Sequence, residues 1–179
     1  MQLVEEANWS AFHRKAKWVA GGYVSTYFYN AFMAVWNGGL KESFEALLAT
    51  YPNYNIWVTG HSLGASMASL AASYVVARKS ISGGNVKLIT YGQPRTGDAA
   101  FAASHNRLTF YPYNMEEGCN FTICHADESR RCSDGLLYDL SVYDHLHYFN
   151  MDVSKYGVDG CTGAGDGSFS FESSTSTGF

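Results

Sequence analysis

Charge is scarce in this chain of 179 residues: 16% are charged, against a usual figure of about 25%, while 46% are apolar. That balance excludes disorder for most of the length and fits one compact domain. Long apolar runs are missing too. No stretch approaches the roughly 18 to 20 apolar residues of a membrane span. Residues 1–6 carry acids where a signal peptide needs a basic start and an apolar core. Neither a membrane anchor nor an export signal is therefore expected in the chain as it stands, and no internal repeat is visible.

Net charge is −4, made of +3 over residues 1–100 and −7 over residues 101–179. Neither half has the clustered Lys/Arg stripe that nucleic acid demands, so phosphate backbones are not an expected partner. The four cysteines, Cys119, Cys124, Cys132 and Cys161, contain no C-x-x-C pair, which argues against a zinc site, and no metal is expected. Local disulfides fit better. The loop from Cys124 to Cys132 closes with little strain, whereas Cys119 and Cys161 could pair with each other, stay free, or have lost their partners.

What is abundant is aromatic surface: 28 residues, 13 of them Tyr, which suits large apolar surfaces and clefts. Residues 41–50 place Phe44, Leu47 and Leu48 at i, i+3 and i+4 and predict an amphipathic helix stopped by Tyr51-Pro52-Asn53. Residues 54–59 read as a strand apolar enough to be covered on both faces. Residues 63–78 are helical in pattern, with Leu63, Met67, Leu70, Ala71 and Tyr74 along one side. After the turn Ser82-Gly83-Gly84-Asn85, residues 86–90 form the next strand and residues 98–105 open another helix. Helix, strand, helix, strand, helix with short connections predicts parallel βαβ units, hence an α/β fold. Beyond Asn106 loops and short strands follow, one over residues 121–124. Residues 162–179, rich in Gly, Ser and Thr, read as a solvated tail, which leaves a domain over residues 1–161.

Gly60-His61-Ser62-Leu63-Gly64 matches G-x-S-x-G, a weak signal alone. Here it joins a predicted strand to a predicted helix, where a strained turn lifts a Ser hydroxyl clear of the sheet. Gly60 and Gly64 allow the tight turn, and Ala65, Ser66, Ala68, Ser69 and Ala72 keep the helix thin. A Ser hydroxyl needs a base, and in this arrangement the chain order is Ser, Asp or Glu, then His. That order disposes of His13. His61 is disfavoured because adjacent side chains point apart, and His105 and His125 sit in solvated contexts. His145 and His147, in Asp144-His145-Leu146-His147-Tyr148-Phe149, are left even.

The motifs 59–65 (TGHSLGA), 90–98 (TYGQPRTGD) with Phe101-Ala102, and 144–149 (DHLHYF), in this order, resemble the fungal-type class 3 lipases over roughly residues 1–161. The resemblance implies an α/β-hydrolase fold with a mostly parallel sheet flanked by helices, a Ser-His-Asp triad, no cofactor, and hydrolysis of lipid esters, typically triacylglycerol, outside the cell. By motif match Ser62 is the nucleophile, His145 the base, and the Leu63 N–H one oxyanion donor. Cys124 and Cys132 resemble the family's disulfide loop, and Cys161 the cysteine just after the catalytic His. Residues 2–9, with Leu3, Val4 and Ala7 on one face, resemble the family's lid.

Two departures accompany the likeness. The oxyanion strand that precedes the lid in the family is not represented. The segment carrying the catalytic Asp is also lacking, because Asn106 runs into Arg107-Leu108-Thr109-Phe110-Tyr111, which resembles sequence well past it. The triad acid is thus unassigned. Asp98, Asp127, Asp134, Asp139 and Asp144 all satisfy the chain order, and for Asp98 a helix start is the simpler explanation. A domain lacking both features is expected to be nearly inert.

Overall fold

The computed structural model describes residues 14–79, 81, 83–103, 108–110, 122–124, 142–149 and 151–161. Strands β1 (Lys15–Lys17) and β2 (Tyr23–Ser25) pair antiparallel. Helix α1 (Thr26–Val35) follows, then a π-type turn over Trp36–Leu40 and helix α2 (Lys41–Thr50). Gly39, at φ 123°, lies in the left-handed region and breaks the helical path between them.

At the centre, strand β3 (Ile56–His61), helix α3 (Leu63–Lys79) and strand β4 (Val86–Tyr91) form a βαβ unit with β3 and β4 parallel, Ile56 opposite Val86 and His61 opposite Tyr91. This is the α/β arrangement that the strand and helix order predicts. Helix α4 (Ala99–Ala103) follows. Two further antiparallel pairs join β5 (Leu108–Phe110) to β6 (Thr122–Cys124), and β7 (His147–Tyr148) to β8 (Met151–Asp152). Helix α5 (Val142–Leu146) runs directly into β7, and α6 (Val153–Val158) follows β8.

The core is aromatic. Phe28 and Phe32, one helical turn apart on α1, are buried with Trp18, Val24, Trp36, Leu70, Val75 and Phe101. Trp18 meets Phe32 edge-on at 5.8 Å, and its indole N–H donates to Ser73 Oγ at 2.9 Å, which satisfies the polar edge of a buried ring. Ala65, Ser66, Ala68, Ser69 and Ala72 are all buried, so the small residues of α3 let it sit close to both α1 and the β3–β4 pair.

Three expectations need correction. Leu47 is 60% exposed and α2 has no fully buried residue, so its anchor is Phe44, against Trp36 at 5.9 Å. The central strand begins two residues later than the apolar run suggests, and Trp57 is 63% exposed while Ile56 and Val58 are half-buried. It is covered on one face, not two. Gly64 has open space where a Cβ would stand, so of the two motif glycines only Gly60 is sterically required.

Candidate active site

The β3–α3 junction carries the G-x-S-x-G residues. His61 ends β3, Leu63 starts α3, and Ser62 alone makes the turn, at φ 54°. A left-handed backbone is costly for a residue with a Cβ and persists where surrounding contacts over-determine it. Here the Ser62 amide donates to the Tyr91 carbonyl at 3.0 Å, and the Ser62 carbonyl accepts from Ala65 N–H at 3.0 Å. A Cβ on Gly60 would overlap the Gly64 carbonyl and come within 2.8 Å of the Ala65 nitrogen, so glycine at 60 is what allows helix and strand to approach. The N–H of Leu63, the first residue of α3, has no helical acceptor of its own. The helix dipole there favours negative charge beside Ser62.

His145 reaches this turn from α5. Its Nε2 lies 2.9 Å from Ser62 Oγ, across 83 residues of sequence, and both side chains are half-buried. The structure therefore separates the two histidines that chain order leaves even. His147 is turned away: its ring stacks on Tyr143 at 3.7 Å, and its Nδ1 lies 2.7 Å from the Tyr143 carbonyl oxygen.

Sequence reasoning missed two participants. His61 does not reach Ser62 as a base, yet its Nε2–H donates to the His145 carbonyl at 2.9 Å and its ring lies 4.7 Å from the His145 ring. Gly92, just after β4, has φ 55°, and a Cβ there would lie 2.6 Å from both His145 Nδ1 and the Tyr148 hydroxyl. Its place within residues 90–98 (TYGQPRTGD) is the signal that the sequence offers. A network fixes the loop after Gly92 on α3: Gln93 Oε1 accepts from Ser69 Oγ at 2.8 Å, Gln93 Nε2 donates to Thr96 Oγ1 at 2.9 Å, and Thr96 Oγ1 donates to Ser66 Oγ at 2.8 Å.

Asp98 sits away from this cluster in a capping role. Its Oδ1 accepts from Phe101 N–H at 2.9 Å and from Tyr23 N–H at 3.1 Å, tying the start of α4 to β2. Those two amides, Phe101 first, hold its carboxyl below the usual carboxylate range. Asp144 is on α5 and exposed. Cys161 is an exposed free thiol. The Cys124–Cys132 pairing, Cys119, Asp127, Asp134, Asp139, His13, His105, His125, the lid residues Leu3, Val4 and Ala7, and the tail lie outside what the structure describes. Among the described residues no group of three or more His, Cys, Asp or Glu could hold a metal, and no helix is long and apolar enough to cross a membrane.

A strand–Ser–helix turn with an imidazole 2.9 Å from the hydroxyl is the geometry of this site, and comparison with known proteins gives the family. The family model for Lipase (class 3) matches residues 1–126, and the chain belongs to that family. A Caenorhabditis elegans protein described as Lipase ZK262.3 is 25% identical over 220 residues, covering 89% of this chain and 61% of the relative. A lipase of Rhizomucor miehei is 32% identical over 133 residues, covering 58% of this chain and 37% of that protein. In fold, the chain matches the solved lipase II from Rhizopus niveus with a TM-score of 0.69 at 22% identity, covering 83% of this chain and 68% of that one. The chain thus spans 61% of the nematode relative's length and 37% of the fungal one's. The nematode match runs over more positions than the 179 residues present here, so internal segments of that relative have no counterpart in this chain.

Proposed function

We propose that the chain hydrolyses lipid esters, as a triacylglycerol lipase or related carboxylic-ester hydrolase, through an acyl-enzyme on Ser62. The observation that carries the reading is the 2.9 Å approach of His145 Nε2 to Ser62 Oγ at a strained strand-to-helix turn. In the proposed reaction His145 takes the hydroxyl proton as Ser62 Oγ attacks the ester carbonyl, and the developing oxyanion is met by the Leu63 N–H at the start of α3. The imidazolium then protonates the leaving alcohol. Water, deprotonated by the same ring, releases the fatty acid and restores Ser62. No metal or organic cofactor enters. Action outside the cell, and a closed Cys124–Cys132 loop, belong to the same proposal.

On this reading the triad acid belongs to a segment that has no counterpart in the chain, so the rate should be low. In other serine hydrolases, disabling the acid costs about 10⁴ in kcat. Release of fatty acid from an emulsified triacylglycerol tests the reading. The expected result is slow turnover, roughly 10⁴ below a complete relative, that disappears in Ser62→Ala. Turnover that survives Ser62→Ala would overturn the nucleophile assignment, and turnover equal to a complete relative's would overturn the inference of a missing acid.

A further inference from the structure

At the far end of α3 from Ser62, Arg78 stands about 22 Å along the helix axis from Leu63. There β1, α1 and α3 frame a half-open cavity of about 370 Å³ between Trp18, Tyr29, Met33 and Tyr74, with Lys17 and Arg78 also on its lining. We propose that this cavity binds a fatty acid, its carboxylate at Lys17 and Arg78 and its chain among the rings. The choice of a fatty acid rests on the lipid-ester reading above; the existence of a site for an anion with an apolar body does not.

The lining divides by polarity. Lys17 and Arg78 are exposed, whereas Trp18 is buried and Tyr29, Met33 and Tyr74 are half-buried, so charge lies at the mouth and apolar surface beneath it. Trp18 adds no free polar atom, because its indole N–H is taken by Ser73 Oγ at 2.9 Å. Its ring meets Tyr29 edge-on at 5.9 Å and Tyr74 at 5.9 Å. Met33 supplies an unbranched, polarizable side chain that adapts to an apolar guest.

No carboxylate lines the cavity. Among the described residues neither Lys17 nor Arg78 has an ion pair, and neither the Tyr29 nor the Tyr74 hydroxyl has a hydrogen-bond partner. Every polar side chain on the lining can therefore donate, and two of the four are cations, a set that recognises an anion. Arg78, in the last turn of α3, also offsets the negative end of that helix, which would otherwise repel one. An apolar floor below a cationic mouth suits an amphiphile. A volume near 370 Å³, at the low end of the range for small-molecule sites, suits one with a single chain.

The test uses the full chain with ¹³C in its methionine methyl groups, the Met33 signal being assigned by Met33→Leu. Decanoate is added below its micelle concentration, beside decanol, which has the chain without the charge, and acetate, which has the charge without the chain. The Met33 methyl should shift saturably with decanoate, about ten-fold less tightly with decanol, and not at all with acetate. Lys17→Gln and Arg78→Gln change exposed residues and should each weaken decanoate about three-fold, and added salt should weaken it as well. Ser62→Ala should bind as the parent does. A Met33 methyl that decanoate leaves unmoved would overturn the proposal, as would decanol bound as tightly as decanoate, or unchanged binding when both cations are replaced together. Loss of the response in Ser62→Ala would also overturn it, by moving the acid to the catalytic turn. A Met33 response in a chain that hydrolyses no ester would support the site while contradicting the lipid-ester reading.

Discussion

Gly92 and His145 meet with no room between them: the space that a Cβ on Gly92 would fill is taken by the Nδ1 edge of the imidazole. Any other residue at 92 must displace the ring, and must also adopt a φ of 55°, which L-residues resist at a cost of about 1–2 kcal/mol. Gly92→Ala should therefore fold, with the ring pushed off Ser62 Oγ. A misplacement near 1 Å costs about 10² in rate, so fluorophosphonate labelling of Ser62 should slow by about that factor while circular dichroism is retained. Labelling at the parental rate would show that the ring has space to yield.

The two motif glycines should respond in opposite ways. Gly60→Ala drives a methyl into the Gly64 carbonyl and the α3 backbone, and overpacking of this kind costs about 1–3 kcal/mol or more. Gly64→Ala meets nothing within 4 Å on a helix, where alanine is favoured by up to about 1 kcal/mol. Urea denaturation midpoints should fall for the first and stay level or rise for the second. Equal losses would contradict the assignment of the close contact to Gly60.

Asp98 makes a prediction about acid. Its carboxylate is held below the ordinary range by the amides of Phe101 and Tyr23. A depressed folded-state pKa means that the unfolded chain takes up the proton first as pH falls. The stabilisation is thus complete above the ordinary Asp pKa of about 4 and is lost as pH drops through the lower folded value. Asp98→Ala should cost about 0.5–2 kcal/mol at neutral pH, the usual worth of such a cap, and the difference from the parent should shrink toward strongly acid pH. A difference independent of pH would mean that the carboxylate's charge plays no part.

His61 holds the backbone of His145, not its ring nitrogens. Replacing it with Phe keeps a ring 4.7 Å from His145 but removes the N–H that donates to the His145 carbonyl. The loss of one such bond, about 1 kcal/mol, should slow Ser62 labelling roughly five-fold without altering the tautomer of His145. A tautomer change in His61→Phe would show that His61 acts on the ring instead.

The βαβ unit was readable because its signals are local: the 3.6-residue pattern of 63–78, the β-rich runs on either side and the glycine between them all lie within one stretch of about forty residues. The turn of Ser62 was readable for the same reason. Helix α1 is less legible: Phe28, Phe32 and Trp36 recur at four-residue spacing, but Tyr27, Tyr29, Met33 and Val35 between them are apolar or aromatic too and blur the period. The exposure of Trp57 could not be seen in a run whose composition suits a strand buried on both faces. Nor could the choice between His145 and His147 be made from order and setting, since both sit in one aromatic stretch. Only the approach of α5 to the β3–α3 turn separates them. Gly92 and His61 acquire their roles entirely from contacts across the fold, which local pattern does not encode.

Activation of Ser62 by His145 is read most directly from the rate at which a fluorophosphonate modifies the full chain across pH. A single adduct on Ser62 is expected, with a rate that rises as an imidazole loses its proton and drops to the level of an ordinary serine in His145→Gln, while His147→Gln labels as the parent does. Labelling that is absent from the folded parent, or unchanged in His145→Gln, would contradict it.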